Sequence, residues 1–302
     1  MAITQERYDE LIEILRQTGN PVHVPEMYSE EIQNFTKLSR RETVELEAEG
    51  YPFRVYINTA NHKTENAPLF INIHGGGWYI GHEVNDVYYA AWLAEQIGGV
   101  VVDVDYSTSG IAPWNVMYSQ CLKAVEYAVE NAQKLGCDED RISIGGYSAG
   151  GHLTASMVTT LAQKGKTPFA LDVLCYAPLD MSAKEKPAPR NEAEARMNKR
   201  GAAFEELLLR GEEAYRQTPT FNPYITPDET LANYPATLVI TAGRCGFRFE
   251  DEAYGARLAA QGVETTMKRY PGAGHGFIPH FFDDWQDAAE LIARHIVAAR
   301  RK

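Results

Sequence analysis

Residues 142–152 read ISIGGYSAGGH. A short apolar run ends in Gly146-x-Ser148-x-Gly150, and helix-forming text follows at once. A serine on so sharp a strand-to-helix turn is held in a strained backbone conformation, and its neighbours two residues away must be small for the turn to close. The turn lifts the hydroxyl clear of the strand ends, where it can attack. Gly-x-Ser-x-Gly also arises by chance as an ordinary glycine-rich turn. Its place between strand and helix makes Ser148 a candidate nucleophile.

Outward from this turn the same theme repeats. Apolar runs at residues 69–73, 100–104, 142–144, 173–175 and 238–241 have the length of buried strands, and 265–269 reads as one more. Most are separated by helical text, with Val116, Cys121, Ala124 and Ala128 on one face and a further helix over 253–260. Buried strands alternating with helices predict an α/β protein, a mostly parallel sheet covered on both faces. Residues 44–59 alternate like strands ahead of an Asn-rich loop at 58–66, and residues 285–299 form a last helix ending in ArgArgLys. The first helix is amphipathic, with Tyr8, Leu11, Ile12 and Leu15 at three- and four-residue steps. Between Asp180 and Tyr224 no strand is expected. The charge-rich stretch 183–217 carries a short apolar stripe, Phe204, Leu207 and Leu208. It reads either as a solvated linker or as a helical insertion over the carboxyl edge of the sheet, where sites of α/β proteins lie. No internal repeat or low-complexity tract is present.

Two more glycine-rich stretches end strands. HGGGW at 74–78 follows the run 69–73. Acyl transfer builds negative charge on a carbonyl oxygen, and backbone N–H groups of a glycine run can converge on it unobstructed. A phosphate loop would need Gly-Lys-Ser/Thr, which is missing, and the glycines at 272–276 lack the helix a dinucleotide site requires. YPGAGHGF at 270–277 carries His275 after the last strand. Serine needs a base, and of the eight histidines His275 alone has the right place, downstream of Ser148 in a loop after a strand. His152 reads as a helix-face residue beneath the turn and His74 as an organiser of its loop. His23, His62, His82, His280 and His295 have no positional argument.

The chain has 302 residues, 44 % hydrophobic and 23 % charged, with 29 basic and 41 acidic side chains and a net charge of −12. That composition is globular, and the acidic balance argues against nucleic acid or an anionic membrane as partner. No apolar stretch approaches the roughly 18 residues of a membrane span, and the charged N-terminus lacks the apolar core of a signal peptide, so a cytoplasmic protein is expected. Cys121, Cys137, Cys175 and Cys245 are scattered, giving neither a disulfide framework nor zinc spacing. A homodimer is one open assembly state.

Taken together, HGGGW at 74–78, GYSAGGH at 146–152, NPY at 222–224 leading into TLVITAG, and HGF at 275–277 resemble the hormone-sensitive-lipase-like carboxylesterases of the α/β-hydrolase fold. The likeness runs from about Tyr51 to the C-terminus. It implies cofactor-free and metal-free hydrolysis of small carboxylic esters, commonly of short acyl or aryl type, through an acyl-enzyme. By position it implies Ser148 as nucleophile, His275 as base, and the N–H groups of Gly76, Gly77 and Ala149 as oxyanion hole. It further implies a catalytic domain over residues 46–182 and 223–302 and a helical cap over 1–45 and 183–222. Two other readings stand beside it: a non-catalytic binder on a hydrolase scaffold, and an amidase such as an arylformamidase.

The sequence departs from that family twice. After the fourth strand, DYSTSGIAPW at 105–114 replaces the family's Tyr-Arg-Leu-Ala-Pro-Glu-like stretch, which is expected to reshape one wall of the pocket. In TAGRCGFRFEDEAY at 241–254, Cys245 stands where the family carries the Asp that orients the histidine. A thiol, with an ordinary pKa of ~8.5, is a poor substitute. Four explanations compete: Cys245 fills the slot of an impaired enzyme; Asp180 reaches the histidine; Glu250 or Asp251 folds back; or Cys245 ionises beside His275. The aromatic residues Trp78, Tyr79, Tyr147 and Phe277 flank the expected site and read equally as pocket or core.

Overall fold

The apolar runs become strands because neither of their faces meets water. Every residue of Ala67–Ile73 (β3) is buried, and side chains alternate: Leu69, Ile71 and Ile73 enter one core, Phe70 the other. In this computed structural model, which describes residues 3–18, 24–165, 167–182 and 192–301, β3 lies inside a sheet with β1 (Ser39–Ala48), β2 (Tyr51–Ala60), β4 (Val100–Asp105), β5 (Cys137–Tyr147), β6 (Leu171–Cys175), β7 (Ala236–Ala242) and β8 (Thr265–Tyr270). The order is β1-β2-β4-β3-β5-β6-β7-β8. β2 runs antiparallel to β1 and β4, and the neighbours from β4 to β8 are parallel.

The helices are α1 (Gln5–Thr18), two one-turn helices α2 (Glu30–Gln33) and α7 (Asp228–Leu231), and α3 (Val84–Ile97), α4 (Trp114–Asn131), α5 (Ala149–Ala162), α6 (Glu192–Leu209), α8 (Arg248–Ala260) and α9 (Trp285–Ala298). Tyr89, Trp92, Ile292 and Ile296 bring α3 and α9 onto one face of the sheet. Met117, Leu153, Met157 and Leu258 bring α4, α5 and α8 onto the other. The mostly parallel sheet covered on both sides is the fold read from the sequence. None of the described helices is long and apolar enough to cross a membrane.

Helix α1 packs outside both cores, while α6 reaches one of them through Leu208 and Leu209. Leu11 and Leu15 of α1 close over Ala203 and Leu207 of α6 in a small core of their own. The Arg7 guanidinium adds two bonds to the Glu206 carboxylate, at 2.7 and 2.6 Å, but this pair is solvent-exposed and contributes little. Leu207→Ala is expected to remove roughly 2–5 kcal/mol from that contact. Hydrogen exchange should then quicken in α1 and α6 and stay unchanged in β3–β7.

The expected boundaries need one correction. Residues 39–45, placed with a helical cap, are the first part of β1 and pair with β2. On this edge strand Arg40 and Glu42 are exposed, and Arg41, half-buried over the Tyr56 ring, puts a third charge where an apolar residue would mark the inner face, which hides the strand pattern. Of the expected insertion at 183–222, residues 183–191 lie outside the described residues; the remainder begins with α6.

Candidate active site

Four strand ends meet at the carboxyl edge of the sheet, where open α/β sheets place their ligands. Ser148 follows β5 directly, with φ 54° and ψ −121°, a strained conformation for a side-chain-bearing residue. Its N–H donates to Cys175 O at 2.9 Å. The tight turn requires glycine at 150: a Cβ there would lie 2.1 Å from Ile73 O, so any side chain would drive α5 off β3.

The HGGGW loop after β3 comes against this turn. A Cβ on Gly75 would stand 3.5 Å from Ser148 Cβ. Gly76 has φ 106°, and a Cβ there would meet Ile80 O at 2.5 Å, so no other residue fits. Beneath the loop, buried His74 donates its Nδ1–H to Gly75 O at 2.7 Å and stacks on Tyr106 with centroids 4.3 Å apart. Tyr106 Oη–H donates to His74 O at 3.1 Å. Burial pushes the His74 imidazole down to about 3, so it is neutral. Because a trans peptide points its N–H opposite its C=O, holding the Gly75 carbonyl fixes the aim of the Gly76 N–H. Ala149 opens α5, where the first N–H groups have no partner within the helix.

His275 follows β8. Its Nε2 lies 2.8 Å from Ser148 Oγ, and Cys245 Sγ, in the loop between β7 and α8, lies 3.2 Å from its Nδ1. Serine, imidazole and thiol thus stand in one line. Burial pushes the Cys245 thiol up to about 11, so near pH 7 the sulfur is neutral rather than the thiolate considered above. A carboxylate can only accept, and so locks the proton on Nδ1 and leaves Nε2 free to take the serine proton. A neutral thiol can donate to Nδ1 as well as accept from it. Donation would put the imidazole proton on Nε2, the wrong tautomer for a base.

Desolvation also pushes His275 down, to about 4. The residue is exposed to the cavity, however, and water there softens the effect. The sign is clear: protonation is disfavoured, and the neutral imidazole persists below the ordinary histidine value of about 6.5. A plot of kcat/KM against pH should lose activity as the pH falls through a value between about 4 and 6.5. In Cys245→Asp that limb should move up, because a carboxylate favours the imidazolium.

The other acids considered for the slot face elsewhere. Glu250 and Asp251 occupy the first turn of α8 and turn to the segment after β6. Glu250 Oε1 accepts from the N–H groups of Leu179 at 2.9 Å and Asp180 at 3.4 Å, and Asp251 Oδ1 accepts from Ala177 N–H at 3.1 Å. Burial holds the Asp251 carboxyl well above the carboxylate range. Asp180 Oδ1 accepts from Ser182 N–H at 3.1 Å, and its residue lines the cavity with Glu250.

Ser148 and His275 open into a cavity of about 850 Å³. Gly75, Gly76 and Gly77 form its floor beside Ser148, and Phe204 of α6 covers Gly77, its ring 3.2 Å from where a Cβ would be. A sequence profile of the α/β-hydrolase fold matches residues 70–279. The chain belongs to the α/β-hydrolase family. It is 30 % identical over 237 residues to an arylesterase of Saccharolobus solfataricus, covering 78 % of this chain and 75 % of that one. A carboxylesterase of Mycobacterium tuberculosis is 28 % identical over 241 residues, covering 78 % and 74 %. An esterase of Pyrobaculum calidifontis superposes with a TM-score of 0.76 over 97 % of this chain and 91 % of that one, at 24 % identity. The resemblance to hormone-sensitive-lipase-like carboxylesterases is thereby shown for the chain as a family assignment.

Several features of this hydrolase differ from expectation. Trp78 and Tyr147 line the cavity, but Phe277 is fully buried against Tyr176 and Tyr270, and Tyr79 packs on Phe204 rather than on the cavity. No described residue of 105–114 lines it either. That stretch braces the glycine loop from outside the cavity: Tyr106 and Ser109 are buried, Ser109 N–H donates to Trp78 O at 2.7 Å, and Gly110 O accepts from the Tyr8 hydroxyl of α1. His152 is buried under the turn, as read, donating Nε2–H to Phe221 O at 2.7 Å and packing edge-on to Trp78. The sequence reading missed Tyr28, Arg200 and Phe247 as cavity residues. Only their aromatic or long side chains, at positions with no periodic partner, could have pointed to them.

Proposed function

We propose that this hydrolase cleaves carboxylic esters through an acyl-enzyme on Ser148. The observation that carries the reading is the 2.8 Å approach of His275 Nε2 to Ser148 Oγ beside the glycine loop. Ser148 Oγ attacks the ester carbonyl and His275 Nε2 takes its proton. The N–H groups of Gly76, Gly77 and Ala149 hold the developing oxyanion, where preorganised donors are worth most. The imidazolium then protonates the departing alcohol, and water repeats the sequence to release the acid. Cys245 sits on Nδ1 as an imperfect orienter, so turnover is slow relative to a triad with a carboxylate.

The cavity favours small esters. Its volume of about 850 Å³ is that of a small-molecule site, and Trp78, Tyr147, Tyr176, Phe204 and Phe247 give it aromatic walls. Short-chain acyl or aryl esters fit this lining, with α1 and α6 acting as a cap above it. A paired assay with p-nitrophenyl acetate and an aryl formamide tests the class. Faster turnover of the ester supports the proposal, and turnover of the formamide alone would make the protein an amidase.

A further inference from the structure

Under the glycine loop lies an ionic pair that the chemistry above does not use. His82 Nε2–H donates to Asp103 Oδ2 at 2.6 Å, with the side chains 7 % and 0 % exposed. Asn72, paired with Asp103 across β3 and β4, donates Nδ2–H to the other carboxylate oxygen at 2.8 Å. The His82 ring stands perpendicular to His74, with centroids 5.7 Å apart. Two charges are thus kept out of water within van der Waals reach of the ring that holds the Gly75 carbonyl. A buried pair of this kind is poor at adding stability compared with apolar packing, so its use is better sought in what it holds in place.

We propose that His82 and Asp103 are positioning residues for the oxyanion hole: by packing against His74 they hold its Nδ1–H on Gly75 O and so aim the Gly76 N–H into the cavity. The inference rests on the ester-cleavage reading. The chain of contacts is continuous: Asn72 and His82 fix the carboxylate, Asp103 fixes the His82 ring, His82 walls in His74, and His74 with Tyr106 clamps the peptide. The positive charge of His82 also opposes protonation of His74, which keeps the His74 Nδ1–H on Gly75 O in a neutral ring. Burial alone would lower the His82 pKa, but the charge and hydrogen bond of Asp103 overcome it and hold the imidazolium up at about 9. The other titratable or charged groups facing His82 are His74 in the loop after β3, Tyr56 on β2 with centroids 5.0 Å away, Arg41 on β1 and Asp86 on α3.

The test uses the full chain with His82→Gln, Asp103→Asn and the double variant, measuring kcat, KM and the inhibition constant of a trifluoromethyl ketone. That ketone mimics the tetrahedral oxyanion. Misaiming one donor should cost between about tenfold and 10²-fold in kcat, with KM changed less than about twofold. Ketone affinity should fall in parallel with kcat, and the double variant should be no worse than either single one. The native kcat should decline above about pH 9 as His82 loses its proton, and His82→Gln should lack that decline. Asp103→Asn preserves shape at the buried strand position, and His82→Gln tests the loop side should the strand variant fold poorly. Folded variants with native kcat and native ketone affinity would overturn the proposal, as would an equal loss spread over KM with ketone affinity unchanged. Native protein that neither cleaves the ester nor binds the ketone would instead remove the ester reading itself, and this inference with it.

Discussion

Cys245→Asp is expected to raise turnover of p-nitrophenyl acetate by at least about 10²-fold. In a serine protease, replacing the triad carboxylate by its neutral amide costs on the order of 10⁴ because the histidine takes the wrong tautomer. Here the residue on His275 Nδ1 is a thiol at 3.2 Å that burial keeps protonated. A carboxylate in that place restores a pure acceptor and stabilises the imidazolium formed during attack. The gain falls short of the full factor because Glu250 is near enough to disfavour a further negative charge. Cys245→Ala, which removes donor and acceptor together, should change the rate less than about tenfold, since a neutral thiol supplies little of what the carboxylate would. If Asp180 were the orienting acid, Asp180→Asn would remove most activity and Cys245→Asp would do little.

The second large effect is conditional on the first. Triad residues act as a unit: removing the serine alone costs about as much as removing all three, near 10⁶, whereas losing the acid alone costs about 10⁴. A chain already without its carboxylate has therefore forfeited most of what the triad supplies. Ser148→Ala should lower turnover only about 10²-fold in the native chain, but between about 10⁴- and 10⁶-fold in the Cys245→Asp background, in proportion to the gain that the carboxylate brings. Losses of equal size in both backgrounds would show that residue 245 is not coupled to Ser148 through His275.

What could be read from the sequence follows the range of the physics involved. Ser148 and the glycine loop were legible because each turn is written in consecutive residues: glycine at 150 and at 76 is demanded by backbone oxygens 2.1 and 2.5 Å from where a Cβ would be. His275 was found from chain order and its place after a strand. The parallel sheet was legible because strands buried on both faces leave continuous apolar runs. Edge strand β1 was blurred at its start, since Arg40 and Glu42 lie in solvent and the half-buried position between them is a third charged residue, Arg41, laid over Tyr56. The pairing of His82 with Asp103 was invisible for a different reason. It joins a loop to a strand 21 residues away, and nothing local marks either residue as charged and buried. The stretch 105–114 was misplaced because its seat behind the glycine loop depends on Ser109 meeting Trp78 and Gly110 meeting Tyr8, contacts made only after the chain has folded.

The most direct measurement of the central claim is the position of the adduct formed by a fluorophosphonate, located by peptide mass spectrometry in the native chain and in Cys245→Asp. The arrangement described here predicts a single modified residue, Ser148, in both proteins, labelled faster in the aspartate variant and not at all after Ser148→Ala. An adduct on any other residue, or none in either protein at concentrations that label serine esterases, would contradict it.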